Sequence, residues 1–119
     1  MTIVWSPHAR SLQDDILAQI RDDLSTEDAI RWYDRMCDVV APLADFPYSG
    51  SPIPFVCFQT IPENIDSLRQ TFCGPYRIVY EPVDGEIHIL SIRHSRMLIA
   101  EGDTYVPHFT ASTPPTESE

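Results

Sequence analysis

The sequence contains no lysine: its eight basic residues are all arginine, and 18 acidic residues outnumber them. The formal net charge of −10 repels phosphate backbones at long range, whereas proteins that bind nucleic acids are normally basic. We therefore expect no direct binding to DNA.

Cysteine and long apolar runs are also scarce. The three cysteines form no C-x-x-C pair and are not clustered with histidine, so we expect free thiols in a reducing compartment and no metal site or cofactor. No apolar run approaches the roughly 20 residues that span a bilayer, and no signal-peptide pattern opens the chain. These absences predict a cytoplasmic protein that makes no membrane contact.

The charge is distributed unevenly along the chain. Residues 1–45 carry nine acidic residues and four arginines, while residues 65–100 carry four of each. Any chemistry that involves an anionic group is therefore expected on the 65–100 half.

The first half of the chain has the patterns of one strand and two helices. Residues 2–6 are rich in β-branched and aromatic residues, which favour a strand. Ser6-Pro7 is a strong helix start, and a second start at Ser25 follows with almost no loop. Apolar residues spaced by three and four predict an antiparallel helix hairpin over residues 7–43, in which Pro42 kinks or ends the second helix near Val40 or Ala41.

In the second half of the chain, the apolar residues recur with a period of two, which is typical of strands. Residues 44–64 are rich in proline and predict a long irregular connection, with one short strand at 55–60. Three further strands are predicted at 67–72, 76–81 and 86–93, joined by turns at Gly74-Pro75 and Asp84-Gly85. The fold class is therefore α+β, with the helix hairpin packed on a three- to four-stranded antiparallel sheet. We expect a domain over residues 1–100 and a disordered acidic tail over 101–119.

Six short motifs follow one another along residues 3–98. They are Val4-Trp5-Ser6-Pro7 with Ala9; Leu43, Pro47 and Gly50; Gly50-Ser51-Pro52-Ile53-Pro54; Leu68-Arg69; Gly74 through Tyr80; and Ile89 through Met97. In this order they resemble the RelE/ParE superfamily of toxins from type II toxin–antitoxin systems, and its ParE branch most of all. The chain departs from the family in its excess of acidic residues and in the stretch 55–64, which is longer than expected.

The ribonuclease branch of the superfamily implies one set of catalytic residues. By resemblance, Arg77, Arg93, His94 and Arg96 occupy the positions of its catalytic cations and general base. The lysines of that branch have no counterpart here, and no tyrosine follows Arg96 within the next turn. Each of these residues also has a purely structural alternative, such as a cross-strand ion pair for Arg77 or a local hydrogen bond at the strand end for His94.

The ParE branch implies inhibition of DNA gyrase by protein binding, which requires no general base. We expect partner contacts at Arg69, Arg93 and Arg96, and neutralisation by a cognate antitoxin whose disordered segment folds along the helix hairpin. The alternatives are a ribosome-dependent messenger RNA endoribonuclease and a non-toxic relative that only binds. Whether the chain is an enzyme depends on which of these holds.

Overall fold

The computed structural model describes residues 1–104, and it has the expected α+β fold, with two helices packed on one sheet. The sheet has five strands in the order β1-β5-β4-β3-β2, rather than three or four, and it is mixed, since β1 runs parallel to β5. The elements are β1 (Thr2–Trp5), α1 (Pro7–Asp23), α2 (Thr26–Val40), β2 (Ser51–Pro52), β3 (Arg69–Cys73), β4 (Tyr76–Val83) and β5 (Glu86–His94).

The helix hairpin begins and ends where the sequence predicts. Ser6 Oγ accepts a hydrogen bond from Ala9 N at 3.0 Å, and Ser25 Oγ accepts one from Asp28 N at 3.0 Å. Each serine thereby satisfies one of the backbone donors that a helix start leaves without a partner. The second helix ends at Val40 and continues as a 3₁₀ turn at Ala41–Ala44, because Pro42 has no N–H to donate.

The hairpin of β4 and β5 contains an irregularity that decides which side chains face each other. Asp84 and Gly85 form a tight turn with φ values of 50° and 79°. Between Val79 and Tyr80 the register shifts by one residue, which is a β-bulge. Without this bulge, Arg77 would lie opposite Ile92; with it, Arg77 lies opposite Arg93.

Both faces of the central strands are buried. The hairpin of α1 and α2 covers one face, where Met36, Leu43, Ile78, Tyr80 and Ile89 belong to one core. The opposite face carries a second core, formed with the long connection and the segment after β5: Ile53, Phe58, Leu68, Val79, Leu90 and Ile99.

The strand predicted at 55–60 is wrong. A 3₁₀ turn occupies Phe55–Cys57, and Phe58 forms only an isolated bridge with Ile99. The reason is that this segment lies over the sheet instead of extending it. Its backbone pairs with the segment after β5, through Gln59 N to Ile99 O at 3.0 Å and Ile99 N to Cys57 O at 2.8 Å.

The folded part also extends slightly past residue 100, where the sequence placed the start of a tail. Glu101–Asp103 forms a 3₁₀ turn, and Asp103 is fully buried. The predicted disorder of the remaining tail falls on residues 105–119, which lie outside the described part of the chain. No helix in residues 1–104 has the length and apolar character needed to cross a membrane.

Gly50 is the glycine whose replacement we expect to destabilise the fold most. Tyr80 Oη accepts a hydrogen bond from Gly50 N at 2.9 Å and donates one to Pro47 O at 2.9 Å. A Cβ at position 50 would lie 2.5 Å from both Gln70 O and Tyr80 Oη. We expect Gly50→Ala to lower the free energy of unfolding by about 1–3 kcal/mol in urea denaturation.

Gly102→Ala is the matched control for this prediction. A Cβ there would meet nothing within 4 Å, so its effect should stay within about 0.5 kcal/mol. Equal losses of stability in the two variants would contradict the close approach at Gly50.

Candidate functional site

The arginines of β4 and β5 are brought together at one end of the sheet. Arg77 is the register partner of Arg93, and Tyr76 is the register partner of His94. A cleft of about 350 Å³ opens between this end of the sheet and α1. Its lining includes Arg93, His94, Arg96, Tyr76, Asp15 and Leu12.

Arg93 is held by a buried carboxylate. Its Nε donates to Asp103 Oδ2 at 2.7 Å, and Ala100 N donates to the same oxygen at 3.0 Å. The other carboxylate oxygen, Oδ1, lies 2.7 Å from His8 Nε2. Asp103 therefore joins the start of α1, the end of β5 and the 3₁₀ turn at Glu101–Asp103.

The pKa of Asp103 reflects two opposing effects. Burial alone would raise it, because a low-dielectric environment disfavours the charged form. The hydrogen bonds from Arg93, His8 and Ala100 N, together with the charge of Arg93, outweigh burial and lower the pKa below its ordinary value. The carboxylate is thus kept ionised at neutral pH and balances the charge of Arg93.

Arg77 has no acidic partner in residues 1–104, so the cross-strand ion pair considered from the sequence is not formed there. Its Nε donates to Gln70 Oε1 at 2.9 Å, and its Nη1 donates to Met97 O at 3.3 Å. Its Nη2 lies 3.6 Å from Cys57 Sγ, and the guanidinium lies 5.8 Å from the ring centroid of Phe72. These contacts connect the sheet with the segments that cover its second face.

His94 and Arg96 differ in how freely they can meet a ligand. His94 Nδ1 accepts a hydrogen bond from Arg96 N at 3.2 Å, which is the local contact expected at the end of a strand. The guanidinium of Arg96 makes no hydrogen bond or ion pair with the described residues, and the side chain is exposed. Arg96 is therefore the cation of this cleft that is available to a partner.

Arg69, the remaining candidate for a partner contact, lies away from the cleft. Its Nε donates to Gly50 O at 3.0 Å, and its Nη2 donates to Tyr48 O at 3.3 Å. The guanidinium also lies 5.3 Å from the ring centroid of Tyr48. These contacts hold the start of the long connection, and a partner contact at Arg69 stays a prediction.

Three residues of the site were not predicted from the sequence: Asp103, His8 and Tyr76. Asp103 fell in the segment expected to be a tail, and His8 was expected to be a surface residue. The hairpin turn alone would place Tyr76 opposite Arg93. The bulge moves it opposite His94, and the two rings lie 5.8 Å apart, so no local signal pointed to Tyr76. His88 was also expected at the surface but is only 6% exposed.

The three cysteines differ in their burial. Cys37, Cys57 and Cys73 are free thiols, and only Cys73 is fully buried. Within residues 1–104, no group of histidine, cysteine or acidic side chains has the arrangement of a metal site.

The comparisons with known proteins identify one family. The family described as the ParE toxin of the type II toxin–antitoxin system parDE matches residues 3–99. A solved structure described as the chromosomal ParDE toxin–antitoxin system from P. aeruginosa matches with a TM-score of 0.63 and 21% sequence identity, covering 79% of this chain and 95% of that one. This likeness shows a shared fold. The search of curated proteins finds no match.

The buried carboxylate should make stability depend on pH. The amide of Asp103→Asn has one acceptor oxygen, whereas the carboxylate uses two. We therefore expect this variant to lower the free energy of unfolding by about 2 kcal/mol at neutral pH. Because the pKa of Asp103 is lowered in the folded state, its contribution is complete above the unfolded pKa of about 3.9 and is lost as pH falls through the folded pKa.

Urea denaturation of the original chain and of Asp103→Asn at a series of pH values measures this effect. The difference in stability should be constant above about pH 5 and shrink in more acidic solution. A difference that stays the same down to about pH 2 would show that Asp103 does not ionise as described.

Proposed function

The chain belongs to the ParE toxin family of type II toxin–antitoxin systems, and we propose that it inhibits DNA gyrase by protein binding and is neutralised by a cognate antitoxin. The observation that carries this proposal is the state of the two arginines that line the cleft, Arg93 and Arg96. Arg93 is bound to Asp103, and its register partner Arg77 is bound to Gln70 and Met97, so Arg96 is the cation left for a partner.

This arrangement suits recognition better than phosphodiester cleavage. Cleavage of RNA requires a general base, a general acid and cations that stabilise the phosphorane. Here His94 Nδ1 is already a hydrogen-bond acceptor for Arg96 N, and Arg93 is neutralised by a carboxylate. An exposed arginine beside a partly apolar cleft is typical of protein interfaces.

One observation favours the endoribonuclease as a second candidate. The sequence has no tyrosine soon after Arg96, but Tyr76 lines the same cleft as His94 and Arg96. A phenol and an imidazole with ring centroids 5.8 Å apart could share acid and base roles if RNA entered the cleft.

Expression of the chain from an inducible promoter, without its antitoxin, distinguishes gyrase inhibition from RNA cleavage and from loss of toxicity. We expect growth arrest with DNA breaks, and in a purified gyrase assay we expect accumulation of cleaved DNA. Transcript cleavage without DNA breaks would support the endoribonuclease instead. Normal growth with the folded protein present would support a non-toxic binding relative and contradict the proposal.

Arg96→Ala tests the cleft within the same assay. Loss of one exposed arginine at an interface should weaken gyrase inhibition by about tenfold, without a change in thermal stability. Arg21→Ala is the matched control for this assay, which contains no antitoxin. Arg21 is exposed on α1, and its only ion pair within residues 1–104 is with Asp22, at 3.1 Å. Equal activity of the two variants would place the gyrase contact elsewhere.

The helix hairpin is the surface we propose for the antitoxin. Ile30 is 58% exposed and Tyr33 is 41% exposed. They line a groove of about 320 Å³ between α1 and α2, which also includes Leu17, Ala18, Asp14 and Arg21. An amphipathic helix with arginine or lysine beside its apolar face would complement this groove on an acidic hairpin.

A charge placed in this groove should disrupt antitoxin binding. We expect Ile30→Glu to weaken the affinity for the antitoxin by about tenfold or more, because it buries an unpaired carboxylate. Val56→Glu is the control: Val56 is 83% exposed and belongs to the long connection over the other face of the sheet. Calorimetry with the purified antitoxin measures both, and an unchanged affinity of Ile30→Glu would exclude the groove.

A further inference from the structure

A second groove lies on the face of the sheet that the helices do not cover. The long connection, the end of β4 and the turn at Glu101–Asp103 border an open groove with a volume of about 980 Å³. Asn64 Nδ2 donates to Thr104 O at 3.3 Å and thereby joins two of its walls. The segment 60–64 forms one wall, so the groove depends on the path of the long connection.

Three carboxylates line the groove, and no basic side chain among residues 1–104 does. They belong to Glu63, Glu81 and Glu101, while Ile61, Pro62 and Val83 add apolar surface. A volume near 1,000 Å³ is at the upper end for ligand pockets and exceeds what a single ion requires. The lining therefore combines a negative charge with apolar contacts.

Glu81 is the unusual member of this set. It is only 7% exposed, and its side chain makes no hydrogen bond or ion pair with the described residues. Among those residues, the only fully enclosed side-chain polar atom without a partner is Trp32 Nε1. The carboxylate oxygens of Glu81 are therefore not sealed inside the protein but open to the groove that the residue lines.

Its neighbours do not neutralise this carboxylate. Glu81 is the register partner of His88, but His88 Nε2 lies 2.9 Å from Glu86 Oε1. Residues 105–119, which follow Thr104 at the rim, contain neither arginine nor lysine. The carboxylate of Glu81 therefore faces the groove without a cation from residues 1–104, and a cation brought by another molecule could pair with it there.

We propose that this groove binds a partner segment that carries arginine or lysine next to apolar residues, with Glu81 as the carboxylate that receives the cation. The charged group would lie against Glu81, with Glu63 and Glu101 at the more exposed rim. The apolar neighbours of the basic residue would pack on Ile61 and Val83. This surface is separate from the cleft at Arg96 and from the helix hairpin, so it does not rest on the proposed function.

The test is a titration of the isotope-labelled full chain, followed by nuclear magnetic resonance. The probe is the peptide acetyl-Leu-Arg-Leu-Arg-Leu-amide, and its counterpart replaces both arginines with citrulline, an uncharged analogue of similar shape. We expect the arginine peptide to shift the backbone amides of Thr60, Glu63, Glu81, Val83 and Glu101 at the lowest peptide concentrations. The citrulline peptide should leave these amides unchanged.

Glu81→Gln removes the charge and keeps the shape of the side chain. It should weaken binding of the arginine peptide by about tenfold to hundredfold, as expected for the loss of a hydrogen bond to a charged group. Asp22→Asn is the charge-matched control: it removes one carboxylate from α1, where the side chain is 66% exposed, and should leave the affinity unchanged.

The proposal stays testable if Glu81→Gln fails to fold. The double variant Glu63→Gln/Glu101→Gln changes only exposed residues, and it should also weaken the binding. Equal binding of the two peptides, shifts confined to α1 and α2, or full affinity in a folded groove variant would each overturn the proposal.

Discussion

The structure depends on one constraint: its two central strands are apolar on both faces. Ile78 and Ile89 face the helices, while Val79 and Leu90 face away from them, and all four are buried. A sheet of this kind is stable in water only if each face is covered. The helix hairpin covers one face, and the long connection with the segment after β5 covers the other.

The second cover lacks regular secondary structure, so it is held by individual polar contacts. Tyr80, in the core beneath the helices, bonds to Pro47 and Gly50 at the start of the long connection, and Arg77 donates to Met97 O in the segment after β5. Asp103 holds the far end against α1 and β5. Since Arg77 and Arg93 are register partners, their like charges would repel, and the carboxylate of Asp103 reduces this repulsion.

The fold could be predicted from local signals, whereas the site depended on non-local ones. The helices and the β4–β5 hairpin were predicted correctly, because each is bounded by residues with a strong local preference. These residues are Ser6-Pro7 and Ser25 at the helix starts and Asp84-Gly85 at the hairpin turn. The bulge between Val79 and Tyr80 has no comparable local signal, because it follows from the need to bury both Ile89 and Ile92 on one face. The burial of Asp103 depends on partners 95 and 10 residues away, His8 and Arg93.

Most arginines of the second half of the chain bind groups of the chain itself, which leaves its surface acidic. Arg69, Arg77 and Arg93 are engaged with backbone or side-chain groups of the chain itself, so they neutralise little of its surface. The carboxylates of the helices and of Glu63 and Glu101 stay exposed, and the net charge is −10. Long-range attraction will therefore favour basic surfaces and speed their association, while the apolar residues of each groove supply the short-range contact. A chain without lysine can thus attract partners through its acidic residues, while Arg69, Arg77 and Arg93 hold the connections that cover the sheet and Arg96 stays exposed.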